Sequence, residues 1–476
     1  MQMESWRILL HIAAALDWDA QQINIKTAFL YGLLPDNKVQ YMEQPQGFEE
    51  KGKEMWVWKG LYGMKQAGRI WNKTMNEAMI SWGFMHLACE FCIYYCKTDS
   101  GIIISTVYVD KFLSIAYPPW ENKIFKAQMK GIWMISDLRG MKFCVGIVIM
   151  QDRENCTISL SQTALIDRII TQFGQQDAYP NKTPIDPGLK LRHPMLSNIP
   201  LEDQIELTKL LYHSLVSCLL YLSIMFHPDI TYAIQQLSQF LDSYSFTHWN
   251  AVIHVMRYLK GMRELKLILG GWNPVNLTGF TDSDWANCLD TRWSIGEYSF
   301  TLSSSIVSWF MWKQKTIASS SCKAEYTATF ECVKEAIWLH ILLSSISFTP
   351  SSLTTILCDN NAAINLSEDL SLHQWVKHVD IKYHFLYKQV HSNDLNLSYV
   401  NTNDNLADIF TKAFDTTKFE KLHGFLGLGW KFTGFHLRRS ASMPQWGGVL
   451  QSVQYTMTKS THSCLFISPL FLLFIS

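Results

Sequence analysis

Five acids carry the chemistry this chain offers: Asp110, Asp282, Glu325, Asp359 and Asp408. Hard divalent cations such as Mg²⁺ take oxygen ligands, so Asp and Glu are the side chains expected where phosphate esters are handled through metal ions. Two such ions about 4 Å apart clamp the attacking and leaving oxygens of a phosphoryl transfer. Asp110 lies in Tyr108-Val109-Asp110-Lys111, a tight turn between two apolar, strand-like runs. Lys111 puts an ammonium beside it, which repels a dication. The other four acids stand at element ends. Asp282 ends a short apolar stretch, Glu325 lies in the first turn of a long helix, Asp359 follows the strand Thr354 to Leu357, and Asp408 opens a helix running to Lys412. Carboxylates so placed can converge above one edge of an α/β sheet. Taken singly, each has an ordinary alternative, since Asp beside Asn360 suits a turn and Asp at a helix start complements the helix dipole.

The elements that must position these acids follow from periodicity. Ile8, Leu9, Ile12, Ala13 and Leu16 share a helical face, and Ile23 and Ile25 alternate with polar neighbours before a turn at Gly32. Leu61 to Trp71 reads as a loop carrying Lys65 and Arg69 into a helix, with Tyr62 and Trp71 as candidate base-stacking rings. Strands are expected at 297–302, 306–309 and 395–400. The helix 322–343 should bury Ala324, Ala328, Val333, Ile337 and Ile341, and Asn403 to Asn405 should cap the helix that holds Asp408. Gly270-Gly271-Trp272-Asn273-Pro274 reads as a linker. Strands first and interleaved helices later suit a mixed α/β sheet.

Composition narrows the class. A chain of 476 residues with 48% apolar and 17% charged side chains should bury real cores. Lys+Arg and Asp+Glu balance at 41 each, so a nucleic-acid site must be a local patch; His373, His378 and His384 among Lys377, Lys382 and Lys388 form one candidate basic face. Eleven scattered cysteines suggest reduced thiols and an intracellular setting, cytoplasm or nucleus. Cys89, Cys92 and Cys96 lack a second pair at zinc-finger spacing. The apolar stretch 464–475 is too short to span a bilayer and Pro469 interrupts it, so no membrane partner is expected.

Ile25-Lys26-Thr27-Ala28-Phe29-Leu30, Met42 to Phe48, Leu61 to Trp71 and the Tyr108 turn stand in an order that resembles the copia-type retrotransposon reverse transcriptase. The resemblance runs on through Leu160-Ser161-Gln162, Thr183 to Gly188, Leu219-Leu220-Tyr221-Leu222, His227-Pro228-Asp229-Ile230 and Arg257-Tyr258-Leu259-Lys260-Gly261. Thr281-Asp282-Ser283-Asp284-Trp285-Ala286, Ala324-Glu325-Tyr326, Cys358-Asp359-Asn360 and Leu406-Ala407-Asp408, with Thr411-Lys412 beyond, are similar to the ribonuclease H that follows it.

That resemblance implies an α/β fold class. An α+β palm and thumb of a reverse transcriptase, N-terminally truncated, would occupy 1–245, with a connection over 246–275. A ribonuclease H-like mixed-sheet α/β domain would occupy 276–427, and 428–476 would be a tail. It implies that Asp282, Glu325, Asp359 and Asp408 bind Mg²⁺, or Mn²⁺, and that the partner is an RNA–DNA hybrid or a template-primer. The oligomeric state stays open. The departures matter as much. Asn24 and Lys111 replace two of the three polymerase carboxylates, leaving Asp110 as a remnant and implying a palm that does not polymerise. Trp293, Glu297, Lys323 and Trp375 stand where the pattern has Lys, Gly, Glu and Arg. Two functions remain: cleavage of RNA in RNA–DNA hybrids, or a non-catalytic relic that at most binds nucleic acid.

Overall fold

The computed structural model describes residues 1–35, 37, 40–195, 199–271, 276–348, 353–368, 380–392 and 395–429. These belong to one compact unit, Met1–Gly434. The expectations placed on Trp272 to Pro274, on His373, Trp375 and His378, and on the apolar stretch 464–475 fall outside the described residues.

Helix α1 (Met3–Ala15) leads into β1 (Asp19–Ile25), and a ribbon of β2 (Tyr41–Met42) and β3 (Met55–Trp56) precedes α2 (Ala67–Ser81). Then come β4 (Met85–His86), β5 (Ile93–Lys97), β6 (Ile102–Tyr108), β7 (Lys111–Tyr117), α3 (Trp120–Ile132) and β8 (Ile135–Gly140). The first sheet has the order β4-β5-β6-β7-β1-β8, with β1 antiparallel to both neighbours. The apolar runs around the Tyr108 turn look continuous because both sheet faces are buried. Ile103, Val107 and Phe112 pack with Trp71, Phe125 and Trp133, while Ile104, Leu113 and Ile115 face the main core. Successive side chains of a strand point to opposite faces, so one run serves two cores.

The middle of the chain supplies β9 (Phe143–Cys144), β10 (Ile147–Asp152), β11 (Thr157–Ser161), α4 (Thr163–Gln172), α5 (Leu201–Lys209), α6 (Tyr212–Met225), α7 (Thr231–Ser238), α8 (Phe246–Gly261) and β12 (Lys266–Gly270). Among the described residues no single helix is long and apolar enough to cross a membrane. Under the helices, Asp229 is buried, accepts from Tyr258 Oη at 2.7 Å and lies 3.0 Å from His227 Nδ1.

The last third begins with the antiparallel meander β13 (Leu277–Asp284), β14 (Ile295–Leu302) and β15 (Ser305–Lys313), followed by the long α9 (Ser321–Ser345). Next are β16 (Thr354–Cys358), α10 (Asn361–Glu368), α11 (Asp380–His391), β17 (Leu395–Tyr399), α12 (Thr416–His423) and β18 (Leu428–Gly429). The sheet order is β15-β14-β13-β16-β17, with β16 and β17 parallel to β13, a mixed sheet as expected. β18 instead pairs with β12, completing the sheet β18-β12-β11-β10-β9. α9 buries Ala324, Ala328, Cys332, Val333, Ala336, Leu339 and Leu343, but Ile341 is 41% exposed. The buried stripe follows steps of three and four from Glu325, and Ile341 falls off it.

α1 differs from an amphipathic surface helix, because every residue from Ser5 to Ala14 is buried. A helix enclosed on all sides must satisfy any charge it carries. Arg7 Nε donates to Val307 O at 2.7 Å, Nη1 donates to Ile224 O at 2.9 Å, and the guanidinium lies 3.8 Å from the Trp309 ring centre. Nearby, Ser308 Oγ donates to Glu335 at 2.7 Å, and burial pushes the Glu335 carboxyl up to about 7, helped by Glu4 and opposed by Ser308, Tyr298 and Arg7. A carboxyl raised in the folded state favours folding below its unfolded value, and that contribution disappears as pH rises through the folded value. Glu335→Gln is therefore expected to gain stability relative to the unmodified chain between about pH 5 and about pH 8, by on the order of 3 kcal/mol at most. Urea unfolding at the two pH values measures this, and an unchanged difference would contradict it.

Candidate metal centre

Four separated stretches bring their acids to one end of the β15-β14-β13-β16-β17 sheet. Asp282 lies near the end of β13, and Asp359 follows the last residue of β16. The parallel register pairs Thr281 with Cys358, so Asp282 and Asp359 are the next residues along adjacent strands. Asp408 sits in a single 3-10 turn, Leu406–Phe410, rather than the expected α-helix. Asn405 fastens that turn: its side chain accepts from Ala407 N–H at 3.2 Å, and its Nδ2 donates to the Thr281 carbonyl at 3.1 Å. The expected N-cap is thus a cap and a cross-link to β13. Glu325 enters from α9, whose N-cap Ser320 accepts from Lys323 N–H.

A carboxylate oxygen from each of Asp282, Asp359 and Asp408 lies within 4.8 Å of the others, and Glu325, Cys358 and Asp359 form a second such group. Asp282, Glu325 and Asp408 are buried, while Asp359 is partly exposed and accepts from Thr402 Oγ1 at 2.8 Å. Thr411 Oγ1 donates to Asp282 at 2.6 Å. Asp284 stays out of the cluster and accepts from the Asn287 amide.

The electrostatics are those of crowded anions. Burial pushes Asp282 up to about 6, with Lys412 opposing and Asp408 adding to the rise. Glu325 is held well above the usual carboxylate range by burial and then by Asp282 and Asp359, and its Oε2 has no hydrogen-bond partner among the described residues. Lys412 Nζ donates to Asp408 Oδ1 at 2.7 Å and to Asp282 Oδ2 at 3.2 Å, while Lys418 Nζ donates to Asp408 Oδ2 at 3.0 Å. Lys412 and Lys418 thus pair with both oxygens of Asp408 and one of Asp282, and a cation bound there competes with these ammonium groups. Its donors suit a hard divalent cation, because all four acids offer oxygen. Cys358 offers no thiolate, since burial pushes its thiol up. In the sequence Lys412 stands out only as part of a motif, and Lys418 does not stand out at all. The role of Lys418 depends on α12 packing against the Leu406–Phe410 turn, which no local pattern announces.

At the other candidate, the two-residue turn of β6 and β7 holds Val109 at φ 59°. Positive φ is unusual for a β-branched residue. Trp71 Nε1 donates to the Val109 carbonyl at 2.6 Å, so Trp71 braces the turn. It is buried and has no free face for a base, which corrects the stacking expectation; Tyr62 is 60% exposed. β1 pairs Asn24 with Lys111, and the Asn24 amide, oriented to satisfy both of its ends, donates to Asp110 Oδ2 at 3.0 Å and to the Asp110 carbonyl at 3.2 Å. The Asp110 carboxylate is thus tied to an amide, and Lys111 follows it as the first residue of β7.

Residues 1–187 match the family described as "Reverse transcriptase (RNA-dependent DNA polymerase)". The chain is 34% identical over 432 residues to the retrovirus-related Pol polyprotein from transposon TNT 1-94 of Nicotiana tabacum, covering 90% of this chain and 32% of that protein. It belongs to the copia-type retrotransposon Pol polyproteins. A second relative in this family, from transposon RE1 of Arabidopsis thaliana, is 31% identical over 89% of the chain and 28% of its own length. The chain spans about a third of the length of these copia-type relatives. With 432 of 476 residues aligned, the similarity reaches from the first sheet into the β15-β14-β13-β16-β17 sheet. A foamy viral protease-reverse transcriptase in complex with dsDNA aligns over 80% of this chain and 68% of its own at 9% identity and a TM-score of 0.20, too loose a likeness to carry an argument.

Proposed function

We propose that this copia-type chain cleaves the RNA strand of RNA–DNA hybrids at the Asp282, Glu325, Asp359 and Asp408 cluster, with Mg²⁺ or Mn²⁺, and that its palm does not polymerise. What supports the first half is the meeting of acids from four separate stretches of chain, all oxygen donors, at one sheet end. Two bound divalent cations would supply Lewis-acid stabilisation of the phosphodiester's attacking and leaving oxygens. The protein's part is to hold that chemistry in place. Thr402 orients Asp359, Thr411 orients Asp282, and Asn405 holds the Asp408 turn against β13. What supports the second half is Asn24 and Lys111 around Asp110, a site with one carboxylate where a metal pair needs several. The division into palm with thumb, connection and ribonuclease H-like domain, and an intracellular setting in cytoplasm or nucleus, belong to the same proposal.

The test is a labelled RNA–DNA hybrid incubated with the full chain and Mg²⁺, beside Asp359→Asn. Cutting that needs metal and vanishes in the variant is expected. Hybrid binding without cutting would mark the chain as a non-catalytic relic instead. Primer extension on an RNA template should give no product, and extension abolished by Asp110→Asn would mean that the palm does polymerise.

A further inference from the structure

We propose that Glu297 is a fifth carboxyl ligand for a divalent cation held at Asp282. This rests on the metal-centre reading above and goes beyond the four acids the family pattern supplies, since that pattern has Gly at this position. The register pairs Glu297 on β14 directly with Asp282 on β13. Residues opposite one another on antiparallel strands project from the same face with Cβ atoms about 5 Å apart. Its carboxyl is in neither of the two three-residue groups above, so the ion it shares is one held on the Asp282 side. Asp282, Asp408, Lys412 and Glu325 are the charged groups that bear on it.

Glu297 is fully buried, and neither of its carboxyl oxygens has a hydrogen-bond partner among the described residues. A buried carboxyl with no partner is destabilising unless something compensates it. The adjacent lysines do not, because Lys412 and Lys418 are engaged by Asp282 and Asp408. A divalent cation bridging Asp282 and Glu297 satisfies both orphaned oxygens and places one more anion against the charge of the ion. The residue that breaks the family pattern then adds to the site instead of spoiling it.

The experiment is Mn²⁺ titration of the full chain by calorimetry, with no nucleic acid present, for the unmodified protein, Glu297→Gln, Glu297→Gly and Asp359→Asn. Far-UV circular dichroism verifies the fold of each, and the isosteric Gln variant keeps the packing. Both Glu297 variants are expected to bind Mn²⁺ on the order of tenfold more weakly, comparable to losing a supporting group at a metal site. If they bind as tightly as the unmodified chain or tighter while Asp359→Asn is weakened, the metal centre stands and the role given to Glu297 falls. If Asp359→Asn also binds like the unmodified chain, or the unmodified chain binds no Mn²⁺, the metal centre itself is wrong and Glu297 falls with it.

Discussion

Asp282→Asn is expected to lower metal-dependent hybrid cleavage by at least about 100-fold, since removing one group that stabilises transition-state charge costs on the order of 10²–10³ in rate. The effect should exceed that of any single change on the rim. Asp282 belongs to the cluster of Asp282, Asp359 and Asp408, and it is the acid paired across the ladder with Glu297. Asparagine keeps the size and still accepts from Thr411 Oγ1, which now donates to Asp282 at 2.6 Å. The fold should therefore survive while the anion is lost. The measurement is single-turnover cleavage of the hybrid beside a thermal melt. Cleavage within a few-fold of the unmodified chain would remove Asp282 from the site, and a collapsed melt would be answered by repeating the assay with Asp359→Asn.

The second large effect concerns stability. Arg7→Met is expected to destabilise the chain by roughly 3–5 kcal/mol, the cost of breaking a buried, hydrogen-bonded charge network by removing one partner. Met fills much of the same volume, so the loss isolates the guanidinium. Without it the carbonyls of Val307, Ile224 and Met225 lose their donor. Two of these lie at the C-terminal end of α6, where helix carbonyls have no partner inside the helix. Trp309 loses the cation over its ring. Because Arg7 joins α1 to β15 and to α6, urea unfolding should show a lower midpoint in a single transition. A change under about 1 kcal/mol, the range of an exposed ion pair, would show that these contacts contribute little to stability.

The two candidate sites are legible in the sequence to different degrees. Asn24 and Lys111 can be judged from residue identity, because neither offers the anionic oxygen that a hard dication takes as ligand. Their juxtaposition needs only the β1 and β7 pairing of a sheet expected from alternation. Trp71 departs from its sequence expectation for a tertiary reason. An indole in a basic loop looks available to a base, yet α2 turns it inward to hold the Val109 carbonyl. α1 looks one-sided in sequence because its polar positions resemble a wet face. They are buried, since β11, β12 and β15 surround the helix.

Sequence alone determined the order of the motifs, the mixed α/β character, the four acids and the two losses at the Tyr108 turn. The mixed α/β character depends on residue type and short-range period, while the four acids and the changes at Asn24 and Lys111 stand out through the resemblance of the motif order to the copia-type pattern. Tertiary structure alone decided that Lys412 and Lys418 neutralise Asp282 and Asp408, that Asn405 ties the Asp408 turn to β13, that Arg7 joins three elements, and that Glu297 lies opposite Asp282. Apart from the pairing of Lys412 with Asp408, four residues away, these meetings join different elements, and electrostatic interaction depends on distance and burial, which no local pattern encodes. Asp282 is recognisable as a candidate ligand from its neighbours in sequence. What surrounds it, and so how tightly it can hold a cation, is set by the fold.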